Sequence, residues 1–150
     1  MNKLFIYYSF TGNGDFVSKE FEKSGFELRR VTEKKKMPKL FFFQMMSGGF
    51  RATIGAKGKL VDYDNDVSKF DKVVIGSAIW NARLTPAINS VLEVTNLEGK
   101  DVSFVFYSGS GTGKKAEEKI KKQFPSAKIV FLKSPLKYND ELNKIKELAC

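Results

Sequence analysis

Apolar positions along this chain follow two rhythms. Leu4 to Tyr8, Phe26 to Val31, Lys72 to Ile75, Val102 to Tyr107 and Ile129 to Leu132 are nearly continuous β-branched and aromatic runs of strand length. A strand that is apolar on both faces needs cover on both sides, which points to a parallel sheet between helices. Elsewhere the spacing lengthens to three and four residues. Gly113 to Phe124 repeats Ala116, Ile120 and Phe124 among lysines and glutamates, giving one buried stripe and one wet face. Thr85-Pro86 offers a cap hydroxyl and a first-position proline ahead of Ala87, Ile88, Val91 and Leu92. Asp140 to Ala149 aligns Leu142, Ile145 and Leu148, and Asp15 to Ser24 carries Phe16, Val17 and Phe21.

Strands alternating with helices specify an α/β class: a doubly wound five-stranded parallel sheet with helices on both faces, because right-handed crossovers place them there. The pattern has no linker or internal repeat, so residues 1–150 are expected to form a single domain. One connection is outsized. Thr32 to Asp71 runs for about forty residues, and connections of that length are usually functional or partly structured. Within it a helix is expected from about Lys39 to Ser47, ended by Gly48-Gly49.

Composition then removes several chemistries. The chain has 150 residues, 42% of them hydrophobic, enough for a core without disulfides or structural metal. Its single cysteine, Cys150, has no partner in the chain, and it contains no histidine, the usual zinc ligand and general base. Hydrolase triads and zinc sites are therefore not expected. The opening "MNKLFIYYSF" is too short for a signal-peptide core and no run approaches a membrane span, so a soluble cytoplasmic protein is expected.

Chemistry is concentrated in loops. In an open parallel sheet, ligands sit beyond the carboxyl ends of the strands, where strand order reverses. The loops there read "SFTGNG" (Ser9, Phe10, Thr11, Gly12, Asn13, Gly14), "GSAIWNARLTP" (Gly76 to Pro86) and "SGSGTG" (Ser108, Gly109, Ser110, Gly111, Thr112, Gly113). The first aims backbone amides and hydroxyls at one point with a helix dipole behind them, an anion pocket without a lysine. Neutral donors suit a phosphate that is held and not transferred. The same turn composition also serves plain helix capping. Competing phosphate loops fail: "SGSGTGKK" has serine and Lys115 where the triphosphate loop needs glycine and a hydroxyl residue. The dinucleotide pattern G-x-G-x-x-G is not met at Gly12 and Gly14, and a phospho-receiver aspartate is replaced by Gly76-Ser77.

With these loops in order, the sequence resembles the flavodoxin family over nearly its whole length. "YSFTGNG" is similar to that family's S/T-x-T-G-N-T turn, and "YDNDVSKFDKVVIGSAIWNARLTPAINSVL" and "GKDVSFVFYSGSGTG" to its third- and fourth-strand stretches. The resemblance implies strand order 2-1-3-4-5 and a non-covalent flavin mononucleotide, FMN. It places the phosphate in Ser9 to Gly14 and the ring between Ser77, Ala78, Ile79, Trp80, Asn81, Ala82 and the Ser108–Gly113 loop. Trp80 is the expected stacking platform, with a core or partner-facing tryptophan as the other reading. Two departures matter. Gly14 stands where the family usually has threonine, and the third loop has no aromatic of its own, although Tyr107 adjoins it. The implied function is electron transfer with redox partner proteins and no catalytic side chain. The alternatives are a flavin-dependent reductase acting on NAD(P)H or quinone, and a flavin-free binding module.

Charge adds a third departure, since electron-shuttling members of the resembled family are typically acidic and this chain carries +9. That should raise the flavin's reduction potential and favour partners with acidic docking surfaces. Between Glu33 and Val61 there are seven basic residues and one acidic, a local +6. Residues 34–51, "KKKMPKLFFFQMMSGGFR", admit a fully buried helix or a membrane-surface or partner-docking patch. Nucleic acid is not expected there, because the aromatics are phenylalanines in a helical pattern rather than singly interleaved with arginines.

Overall fold

The computed structural model describes residues 1–33 and 59–150. The expected helix at 39–47 and the basic patch at 34–51 lie outside the described residues. Five strands run parallel: β1 (Lys3–Tyr8), β2 (Glu27–Val31), β3 (Lys72–Trp80), β5 (Asp101–Ser108) and β6 (Lys128–Lys133), in the order β2-β1-β3-β5-β6. This is the expected order, renumbered by one short addition, β4 (Arg83–Leu84), which pairs antiparallel with the end of β3.

Alternation within each strand divides the core between the two faces of the sheet. Leu4, Ile6 and Tyr8 of β1 face one side with Val73, Ile75, Phe104 and Phe106, under helices α2 (Pro86–Val94) and α3 (Lys114–Gln123). Phe5 and Tyr7 face the other with Val74, Val105, Tyr107 and Leu132, under helix α1 (Asn13–Lys23) and the C-terminal segment. Burial of Ile88 and Val91 from α2, Ala116 and Ile120 from α3, and Val17 and Phe21 from α1 matches the stripes read from the sequence. At about 25 cal/mol per Å² of apolar surface, two such layers supply the main folding force.

Three local expectations are corrected. Gly76 to Trp80 is strand and not loop, because its small residues meet bulky neighbours across the pleat: a Cβ at Gly76 would lie 2.7 Å from the Phe5 ring. Thr85 stands at the α2 N-cap, yet its hydroxyl makes no cap bond and instead lies 3.3 Å from Ser77 Oγ. The expected last helix is mostly a 3₁₀ helix, Asn139–Ile145, closed by a short α4, Lys146–Ala149. Ile145 and Leu148 are still buried, since residues three apart share a face in either kind of turn.

Candidate functional site

The turn after β1 is held in place by contacts that come from other strands. Ser9 is buried, and its Oγ accepts the Asp15 amide at 3.2 Å. Gly12 is the α1 N-cap with φ +95°, a left-handed conformation that favours glycine, and it has no side chain to cap the helix. The Phe16 amide closes on Gly12 O at 3.0 Å, which leaves the amides of Asn13 and Gly14 in the first turn without an intrahelical acceptor. Asn13 Nδ2 donates to Thr11 Oγ1 at 3.5 Å.

Gly14 explains the missing threonine. A Cβ there would lie 2.5 Å from Tyr107 Oη, 2.8 Å from Tyr8 O and 2.9 Å from Ser9 Cβ. The Tyr107 hydroxyl occupies that space and donates to the Tyr8 carbonyl. Burial pushes the Tyr107 phenol well above its ordinary range, so it stays a neutral donor. Tyr107 therefore supports the first loop from below and is not a ring for the third loop.

Arg30, at the end of β2, is a contributor that the sequence reading missed. Its Nε lies 2.8 Å from Asp15 Oδ1, and its Nη2 reaches Asp15 Oδ2 at 3.4 Å and Ser9 O at 3.3 Å. The hydrogen bond from Arg30 holds the Asp15 carboxyl below its usual range, and Asp15 raises Arg30 in return. The segment after β6 was missed as well: Leu136 donates its amide to Asn13 Oδ1 at 3.1 Å and packs its side chain against Gly12. The available signals were an arginine next to the last residue of a strand beside β1 and a Ser-Pro turn after the last strand.

The second segment bridges the other two. Ser77 is fully buried, with its Oγ donating to Ala78 O at 2.7 Å. Half-buried Ala78 pairs with Tyr107, and Ile79 lies against Gly113, where a Cβ would come within 3.0 Å of it. Trp80 is only 7% exposed and packs edge-to-face with Tyr8 and Phe10, so its indole belongs to the core rather than to an open platform. Asn81 and Ala82 turn the chain at φ 51° and 61°. A non-glycine residue in that region costs about 1 kcal/mol, the kind of strain that functional loops retain. Ala82 O accepts the Ala116 amide from α3 at 2.8 Å.

The third loop is tied mainly to itself. Ser108 Oγ donates to Thr112 O at 2.9 Å and accepts from the Thr112 amide at 3.1 Å, while Ser110 Oγ and Thr112 Oγ1 lie 2.8 Å apart. Gly111 has φ +73° against Lys133, Gly113 is the α3 N-cap, and Gly109 has open space around it.

All three predicted segments thus meet at the carboxyl edge of the sheet: the first and second through Phe10 and Trp80, the second and third through Ile79 and Gly113, the first and β5 through Gly14 and Tyr107. Open helix amides, hydroxyls and glycines form a donor set suited to a phosphate. Among the described residues no acidic or sulfur cluster could hold a metal, and no helix is long and apolar enough to cross a membrane.

A family model described as flavodoxin matches residues 52–146, which include the second and third segments. No curated protein matches the sequence. Among solved structures, a candidate flavoprotein of Bacteroides eggerthii DSM 20697 is similar at TM-score 0.75 and 18% identity, over 99% of this chain and 98% of that one. A flavoprotein of Lactobacillus acidophilus NCFM in complex with FMN is similar at TM-score 0.69 and 15% identity, over 93% and 97%. Oxidised flavodoxin 1 of Bacillus cereus is similar at TM-score 0.52 and 13% identity, over 96% and 98%. At these identities the likeness is one of fold.

Proposed function

Because this chain belongs to the flavodoxin family, we propose that it binds FMN at the carboxyl edge of its sheet and acts in the cytoplasm as an electron-transfer protein. The observation that carries this reading is the meeting of residues 9–14, 76–82 and 108–113 at one edge. When bound, FMN supplies the redox chemistry, and the protein supplies binding, orientation and electrostatics.

The roles follow from the chemistry of each segment. The amides of Asn13 and Gly14 and the hydroxyls of Ser9 and Thr11 hold the phosphate. The 76–82 and 108–113 segments offer small residues and backbone groups to the ring. No side chain is assigned acid–base work, consistent with a chain that has no histidine. The net charge of +9 lowers the cost of adding negative charge at the site, so the midpoint potential is expected to lie above that of an acidic relative. The same charge suits redox partners with acidic docking surfaces.

Titration of FMN into the purified protein tests the binding, with quenching of flavin fluorescence expected on mixing. Unquenched fluorescence would remove the functional reading and leave the architecture. Rapid oxidation of NADPH by the protein alone would identify a reductase instead of a carrier.

A further inference from the structure

The inference drawn here rests on the FMN reading and concerns how the site chooses between flavins. We propose that Arg30 makes the site selective for a phosphorylated flavin by cancelling the charge of Asp15.

Asp15 lies three residues after the Gly12 N-cap, in the first turn of α1. A carboxylate there is stabilised by the positive end of the helix, and for the same reason it competes with any anion brought to the open amides. The Asp15 carboxyl is held ionised, since its pKa lies below the ordinary aspartate value. Left alone, it would put one negative charge beside a phosphate that carries nearly two at neutral pH.

Arg30 removes that conflict by geometry. Strand pairing sets Arg30 opposite Tyr7 of β1, two residues before Ser9. From there the guanidinium forks onto both Asp15 oxygens, at 2.8 and 3.4 Å, and reaches the Ser9 carbonyl at 3.3 Å. A fork of this kind matches a carboxylate in shape and fixes its orientation as well as its charge. The first turn then carries no net formal charge. Riboflavin has the same ring but no phosphate, so it is indifferent to this balance.

Dissociation constants for FMN and for riboflavin, measured by fluorescence quenching at low salt, test the proposal in the wild type and in R30Q, R30K, D15N and the D15N/R30Q double variant. R30Q is expected to weaken FMN by about tenfold more than riboflavin, an effect of a size that one partly screened charge produces. Added salt should shrink that difference. R30K should recover part of the selectivity, and D15N/R30Q should bring it back to near the wild-type ratio, because both charges are then gone. A merely structural role for Arg30 would move both flavins together, and that result would overturn the proposal, as would a double variant that stays unselective. A wild type that quenches neither flavin would instead defeat the FMN reading on which this one rests.

Discussion

The loops after β1 and after β5 have nearly the same composition and are held in opposite ways. Residues 9–14 are fixed by tertiary contacts: Arg30 from β2, Tyr107 from β5 and Leu136 from beyond β6 all bear on them. Residues 108–113 are closed by their own hydroxyls, Ser108 and Ser110 bonding within the loop to Thr112. The contrast assigns different work to each. A loop braced from two strands and the segment after a third can hold open amides in a fixed array, which an anion site needs. A self-closed loop keeps its shape locally and can adjust its outer edge without disturbing the core.

Replacing Gly14 with threonine is the most severe way to break this contrast. The new Cβ would overlap Tyr107 Oη, Tyr8 O and Ser9 Cβ, and overpacking of this kind costs about 3 kcal/mol. A lowered urea midpoint with unchanged slope would record it. Coupling the change to Tyr107→Phe should recover part of the loss, since the shortest overlap is with the hydroxyl. Full additivity of the two changes would mean that the hydroxyl does not fill that space.

Tyr107→Phe alone comes next, at about 1 to 2 kcal/mol, because the buried Tyr8 carbonyl loses its donor. The pH dependence has a definite sign. An unfolded tyrosine ionises near 10, whereas folded Tyr107 ionises well above that. The stability it contributes is complete below about pH 10 and declines as pH rises past that value. Thermal melts across that range should fall for the wild type and flatten in the variant.

Ser108→Ala is expected to cost less, about 0.5 to 1 kcal/mol, because it removes one local donor-acceptor pair from a half-exposed loop. Flavin spectra should change more than the melting temperature does. A loss of stability as large as that from Tyr107→Phe would show that the third loop is braced by the core after all.

The smallest effect belongs to the half-exposed Asp15–Arg30 pair. Asp15 has a depressed pKa, so its contribution is present above the ordinary aspartate value of 3.8 and is lost as pH falls below it. Melts of the wild type and D15N should converge at acid pH and separate only slightly near neutrality.

Much of this molecule was legible before any coordinates. The strand runs, the four-residue stripe of α3 and the proline start of α2 are local signals, and each appears where its period placed it. The first and third loops were legible for the same reason, since glycines and hydroxyls next to strand ends announce themselves in a few residues, whereas the second proved to be strand as far as Trp80. The fate of Trp80 was not. Whether an indole faces a ligand or the core depends on Phe10 and Tyr8 reaching it from another strand's end. The helical pattern at Asp140 to Ala149 also misled, because periodicity marks which residues are buried more reliably than how tightly the backbone winds.

The sequence by itself determined the class of fold, the division of apolar residues between two faces, and the three small-residue segments that meet at one edge of the sheet. Only the tertiary structure decided what makes that place rigid and how it is charged. Gly14 meets Tyr107, and Asp15 meets Arg30, through strand register that brings residues far apart in the chain to within a few ångströms. Short-range chemistry is written in neighbouring letters, whereas contacts across a sheet exist only once hydrophobic burial has fixed which strands lie side by side.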